Sequence, residues 1–273
     1  MPLVLKYKAA TTIPVELYGL TPDAAAQRSL AEVERLPIQH GNRQVPLAEF
    51  FDVSGSVSDG ELRLEGDLRG VHGIGAQMAA GIIRIEGDAG RHLGSQMTGG
   101  EIHVSGSAGD WVGAEMRGGL IHVRGDAGNQ VGGAYPGSRR GIRGGTILIG
   151  GRAGDEVGHT MRRGTVVVGG DAGAGAGFNM IAGSIYVFGR CGAQPGAGMR
   201  RGTIGLFGPE RPTLLPTFRQ ASTYQPTFLR FTFLELRRLG FDVPEPLLAR
   251  RFTLYHGDFL ALGRGEILMV EDH

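Results

Sequence analysis

A chain of 273 residues with a formal net charge of +1 is long enough for a sizeable core and carries no global charge signal for nucleic acid or an anionic membrane surface. Its 41% apolar content argues against disorder, its single cysteine excludes an internal disulfide framework, and no apolar run approaches the ~18 residues of a membrane span. Glycine is the outlier, with 49 residues and no collagen-like period, so a repeat fold is expected. The opening Met-Pro-Leu-Val-Leu-Lys-Tyr-Lys lacks the layout of a signal peptide, and a soluble cytoplasmic protein is expected.

Residues 1–59 read as a small α+β cap. Short strands are predicted over 3–7 and 13–18. Thr21-Pro22-Asp23 supplies an N-cap, a proline for the first turn and an acidic residue, which predicts a helix over 24–36.

From Gly60 one pattern recurs: Gly, any, Ile/Val/Leu, any, Ile/Val/Leu, any, Gly-Asp-Ala-Gly, a spacer, then Gly-x-x-Met-x-x-Gly. Copies begin at Gly60, Gly81, Gly100, Gly119, Gly145, Gly164, Gly183 and Gly202, in steps of 21, 19, 19, 26, 19, 19 and 19 residues. The largest step holds Tyr135-Pro-Gly-Ser-Arg-Arg-Gly141, expected as a loop leaving the stack. Pairs such as Ile83/Ile85, Ile102/Val104 and Val166/Val168 have period two, the mark of a short strand with one buried face. The residues between them point outward and change from Arg63, Arg84, His103 and His122 to Leu148, Val167 and Tyr186, so the later part of that face is expected to be covered. An Ala column (Ala89, Ala108, Ala127, Ala153, Ala172) and a Met column (Met78, Met97, Met116, Met161, Met180, Met199) are predicted to be buried. Gly-Asp at 66–67, 87–88, 125–126 and 170–171 reads as turn chemistry.

A repeat this short cannot bury its own apolar face, whereas stacked copies can. The expected fold is mainly β: a β-helix (solenoid) of seven to eight coils over 60–208, with a 19-residue repeat and small α+β caps at 1–59 and 209–273. The coils would stack about 4.7–4.9 Å apart, roughly 35 Å in all. In the C-terminal cap, Pro209, Pro212, Pro216 and Pro226 predict a surface excursion, followed by a helix over 228–239 and strands over 252–255 and 267–270.

No acid/base or nucleophile constellation stands out, so neither a catalytic residue nor a metal ligand is assigned. Gly70-Val-His-Gly73-Ile-Gly75 superficially suggests a dinucleotide loop, but no long helix follows it. Cys191 falls in the Ala column and reads as a small core residue. His103 and His122 share one outward column, too few for a metal site, and read as surface residues. The Asp column is repeated in coil after coil, which suits a structural residue better than a catalytic one.

One column is harder to assign to packing. Two residues before each coil stand Ala79, Thr98, Arg117, Arg143, Arg162, Ile181 and Arg200. Arg163 and Arg201 extend the stripe, and Arg139 and Arg140 lie in the inserted loop beside it. Residues 126–208 carry nine arginines against four acids, whereas 60–125 carry six against eight, so the repeat region is electrostatically polarised. Arginine forks at this spacing suit a polyanionic chain or an acidic partner; the alternative is a solvated edge.

The repeat resembles the Gly-x-Gly-x-Gly β-helix shared by glutamate synthase large subunits and the C subunit of formylmethanofuran dehydrogenases. The separate chain, its start and its ending Tyr255-His-Gly-Asp-Phe-Leu-Ala-Leu-Gly-Arg-Gly-Glu-Ile267 look like the dehydrogenase C-subunit family. That family has an archaeal branch with molybdenum or tungsten and iron–sulfur subunits. It also has a bacterial branch, in the formyltransferase/hydrolase complex of methylotrophs. A content of 26 arginines against two lysines suggests a GC-rich genome and favours the second. The resemblance implies a non-catalytic scaffold beside an amidohydrolase-like A subunit with metal, a B subunit and a formyltransferase D subunit. It implies that the complex moves a formyl group from a tetrahydromethanopterin carrier to a methylofuran-type cofactor and releases formate. This chain alone would bind no cofactor, although the polyglutamate tail of the furan cofactor could lie along the arginine stripe. The alternatives are a subunit of the molybdenum or tungsten dehydrogenase, and a glutamate-synthase-like structural domain.

Overall fold

A residue pair with period two buries one side of a strand, and eight such pairs at near-constant spacing ask to be stacked rather than spread. The computed structural model of the protein describes residues 1–9, 11–56 and 58–271. Ala10, Val57 and the last two residues of the expected caps lie outside the described residues.

The chain is mainly β. Eight repeat strands, Glu61–Glu65, Ile82–Glu86, Glu101–Val104, Leu120–Val123, Arg143–Ile149, Arg163–Val168, Ser184–Val187 and Arg201–Leu206, pair in parallel in that order, each of the first seven with the strand of the next repeat. The register follows the columns: Leu62 faces Ile83, Ile83 faces Ile102, and Ile102 faces Ile121. Two further ladders join the same repeats. Single parallel bridges link Leu68, Ala89, Ala108, Ala127, Ala153, Ala172 and Cys191 in order. The spacer, which the sequence left unassigned, makes the third: Gly94 donates its N–H to the Ile74 carbonyl (2.9 Å), Gly113 to Leu93 (2.7 Å) and Gly132 to Val112 (2.8 Å). The Met column, the Ala column and the inward Ile/Val residues form one continuous core with these spacer residues.

Non-repeat segments finish the stack at both ends. Leu3–Tyr7 pairs in parallel with the first repeat strand, and Phe51–Gly55 closes that side antiparallel. At the other end Arg264–Val270 pairs in parallel with Arg201–Leu206, followed by the antiparallel strands Phe252–Gly257 and Arg219–Tyr224. The result is one sheet of thirteen strands, with a second, four-stranded sheet beside its N-terminal part. Antiparallel edges at both ends cover backbone that would otherwise template further pairing.

The helix Thr227–Arg238 covers the apolar half of the outer face. Leu229, Phe233 and Leu236 recur at helical spacing and pack on Leu148, Val167, Tyr186 and Phe207. Burial of three such side chains stabilises the lid by about 1.5–3 kcal/mol each. Gly240 (φ +80°) ends the helix.

Three sequence expectations change. The single N-terminal helix is two short ones, Pro22–Ala25 and Leu30–Glu34. Ser29 starts the second: its hydroxyl accepts the Glu32 N–H (3.3 Å) while Glu32 accepts the Ser29 N–H (2.7 Å), a reciprocal cap that holds Ser29 extended. The strand expected over 13–18 is only Val15–Glu16. The proline-rich excursion contains a strand, Arg219–Tyr224, which escapes notice because its residues are mostly polar and exposed. No helix among the described residues is long and apolar enough to cross a membrane.

Candidate functional site

Each repeat delivers the residue two positions before its glycine to the same edge. The backbone N–H of Arg117, Arg143, Arg162 and Arg200 donates to the carbonyl of Met97, Met116, Ile142 and Met180 in the preceding repeat, at 2.7, 2.7, 2.9 and 2.8 Å. Ile181 occupies the remaining rung and makes the same bond to Met161 (2.7 Å). Arg143 lies across from Arg163. Arg201 lies across from Arg264, which the sequence reading missed because it comes from the C-terminal strand rather than from a repeat. Arg139 and Arg140 are exposed in the inserted loop.

The electrostatics of this edge differ from those of the first repeats. There Arg63 and Arg84 both reach Glu61 (3.4 and 3.3 Å), Arg69 pairs with Asp67 (2.7 Å) and Arg91 with Asp110 (3.1 Å). Among the described residues, no ion pair reaches Arg117, Arg139, Arg140, Arg143, Arg162, Arg163, Arg200, Arg201 or Arg264. Arg143 is half-buried, and its Nε is enclosed without an acceptor. Strand-like stacking repeats the column at about 4.7–4.9 Å. A row of uncompensated guanidinium groups at that spacing raises the local concentration of polyanions and offers each carboxylate a bidentate donor.

The inserted loop does not simply leave the stack. Tyr135 stacks on Trp111 (centroids 5.0 Å apart), its hydroxyl is 3.0 Å from His92 Nδ1, and its N–H donates to Glu115 (3.4 Å). The stem is thus fastened down and only the tip, with Arg139 and Arg140, projects. His92 and Trp111 have positive φ (63° and 67°), which turns their side chains outward to meet the loop.

The other candidates resolve structurally. In the Asp column, Asp67 is turn chemistry as expected, its carboxylate accepting the Arg69 N–H two residues on (3.3 Å), whereas the later members are staples between repeats. Asp88 accepts the Ser107 N–H (2.8 Å), Asp126 that of Arg152 (2.7 Å) and Asp171 that of Arg190 (2.7 Å). A parallel set, Asp110, Asn129 and Asp155, accepts the N–H of Asn129, Asp155 and Ala174 (all 2.8 Å). Cys191 ends the Ala ladder, and burial pushes its thiol up to about 12. His103 and His122 stand 6.3 Å apart, half-buried, in a groove of about 290 Å³ with Arg84 and Arg124. Burial, then His103 and Arg124, holds the His122 imidazole below its usual value. Among the described residues no group of three or more His, Cys, Asp or Glu is placed to hold a metal ion.

No protein-family model matches the chain. It is similar to a chain of the crystal structure of the formyltransferase/hydrolase complex from Methylorubrum extorquens in complex with methylofuran. The TM-score is 0.91 and the identity 38%, covering 98% of this chain and 100% of that one. It is 40% identical over 95 residues to the C subunit of the molybdenum-containing formylmethanofuran dehydrogenase 1 of Methanosarcina barkeri, which is 33% of this chain and 32% of that protein. It is 38% identical over 95 residues to the C subunit of the tungsten-containing formylmethanofuran dehydrogenase 2 of Methanothermobacter thermautotrophicus, 33% of this chain and 35% of the relative. The match thus spans about a third of the length of these two dehydrogenase subunits.

Proposed function

The chain belongs to the C-subunit family of formylmethanofuran dehydrogenases and the formyltransferase/hydrolase complex, and from that premise we propose that it is the non-catalytic scaffold subunit of a formyltransferase/hydrolase complex. The observation that carries this reading is the end-to-end likeness to a chain of the formyltransferase/hydrolase complex, 38% identical with 98% of this chain and 100% of that one covered. The complex would transfer a formyl group from formyl-tetrahydromethanopterin to a methylofuran-type cofactor and release formate. The partners would be an amidohydrolase-like A subunit holding the metal, a B subunit and a formyltransferase D subunit, all in the cytoplasm. Residues 60–208 we read as a β-helix, supported by three parallel ladders at one repeat's distance, between a cap at 1–59 and an extension at 209–273.

In this reading the arginine edge holds the polyglutamate tail of the furan cofactor or docks an acidic subunit surface. Its chemistry fits a chain of carboxylates, because among the described residues no acid pairs with these guanidinium groups. The local identity to metal-containing dehydrogenases favours one alternative, a subunit of a molybdenum or tungsten enzyme. Purification of the chain tagged at its native locus, with mass spectrometry and metal analysis, separates the two. Recovery of formyltransferase and amidohydrolase-like subunits without molybdenum, tungsten or iron–sulfur supports the hydrolase reading. A redox subunit with molybdenum or tungsten moves the chain to the dehydrogenase, and a lone monomer refutes both.

A further inference from the structure

Between the last two strands, residues 258–263 turn so that Phe259, Leu260 and Leu262 face solvent, 53%, 85% and 49% exposed. Three large apolar groups within four positions of a surface turn are unfavourable in water, where turn-forming Ser, Asn or Asp would serve. The turn is nevertheless held rigidly. Asp258 is buried; its carboxylate accepts the N–H of Leu260 (2.9 Å) and of Gly198 (3.1 Å), in the repeat that begins at Gly183. Its carbonyl accepts the N–H of Ala261, Leu262 and Gly263 (3.0, 3.2 and 2.9 Å), and Phe259 donates to the Thr217 carbonyl (3.2 Å). Burial opposes the Asp258 charge, yet the two amide donors to its carboxylate hold its pKa below the usual range. The turn is therefore clamped to the repeat stack while its apolar groups stay uncovered.

Arg264 follows directly, in register with Arg201. Among the described residues neither has an ion-pair partner. A pocket of about 400 Å³ opens beside the turn, lined by His256, Phe259, Gly263, Arg264 and Glu266.

We propose that this turn is a protein-docking knob: Phe259, Leu260 and Leu262 enter an apolar hollow on a different subunit, whose rim carboxylates pair with Arg201 and Arg264. An apolar centre with a charged rim is the layout of an interface hot spot. The rigid clamp means that little conformational entropy is lost on docking. Charge selects the occupant. Arg201 and Arg264 stand in register beside the knob with no acid paired to either among the described residues, and a carboxylate-rimmed hollow on another subunit neutralises both. The inference rests on the reading that the chain works within a complex.

Leu260→p-benzoylphenylalanine, placed in the tagged full chain and irradiated in the complex isolated from cells, reads the contact directly. The expected adduct lies on another subunit, at an apolar residue bordered by Asp or Glu. An adduct to a second copy of this chain, or none to any subunit, overturns the knob. In parallel, Leu260→Asp should lower recovery of that subunit at least about tenfold. The variant's melting temperature and its retention of poly-L-glutamate should not change. Equal recovery with the native chain and with Leu260→Asp overturns the knob alone. No subunit recovered with the native chain overturns the complex reading, and the knob with it.

Discussion

Gly119→Ala tests whether the repeat glycines are there for backbone approach or only for turn shape. Gly119 has φ +92°, and an added Cβ would fall 2.6 Å from the Gly100 carbonyl oxygen and 2.6 Å from Met97 Cε. The oxygen cannot retreat, because it accepts the Leu120 N–H at 3.0 Å in the ladder between repeats. The left-handed backbone costs an alanine about 1–2 kcal/mol, and forcing a methyl into close-packed surroundings adds about 1–3. The expected destabilisation is therefore about 2–5 kcal/mol, or a melting temperature lower by roughly 5–20 °C. Gln194 is the control, since it has φ +58° with its side chain in solvent. Gln194→Gly should move stability by less than about 1 kcal/mol, because relief of backbone strain offsets the added freedom of the unfolded chain. Thermal melts followed by circular dichroism, with urea titrations, measure both. A Gly119→Ala protein that melts within about 2 °C of the native one would refute the close-approach argument.

Asp126→Ala removes a staple to the Arg152 N–H and should cost about 1 kcal/mol, visible as a lower urea midpoint; no change would mean that the ladder is incidental. Asp67 is lowered from 3.8 to about 2 by Arg69, so its contribution is present above pH 3.8 and lost as pH falls through about 2. Asp67→Asn should accordingly flatten the melting temperature between those two pH values. Cys191, at about 12, should resist thiol reagents at pH 8 until the chain unfolds; prompt labelling of native protein contradicts its burial. Joint charge reversal at Arg162 and Arg200 should abolish retention on poly-L-glutamate at moderate salt, while reversal at Arg84, already paired with Glu61, should not. Equal loss from both would mean that net charge, not the edge, governs the binding.

The strand columns were legible because period two and the repeat spacing point the same way: Ile83 over Ile102 over Ile121 follows from counting alone. The covered outer face was also legible, from the change of His103 and His122 to Leu148, Val167 and Tyr186, and the helix above it lies one residue from its predicted place. What escaped depends on contacts between repeats. The carboxylate of Asp126 looks like a turn residue until the next repeat brings the Arg152 N–H to it. The arginine stripe was read from its column, but its extension to Arg264 needs the knowledge that 264–270 forms one more rung. The anchoring of the inserted loop by Trp111 and His92 was invisible, because their outward direction depends on a positive φ that no residue preference announces.

The last rung has a consequence for synthesis. The strand Arg201–Leu206 is the open edge of a growing stack until Arg264–Val270 pairs with it, roughly 60 residues later in the chain. At about 5–20 residues per second, a ribosome leaves that edge bare for about 3–12 s, with every earlier rung already able to form behind it. During that interval a second nascent chain presenting the same edge is a competing partner. The C-terminal segment is therefore a terminator that arrives late, and truncation before Arg264 should yield fibrous or insoluble material rather than a shorter soluble protein.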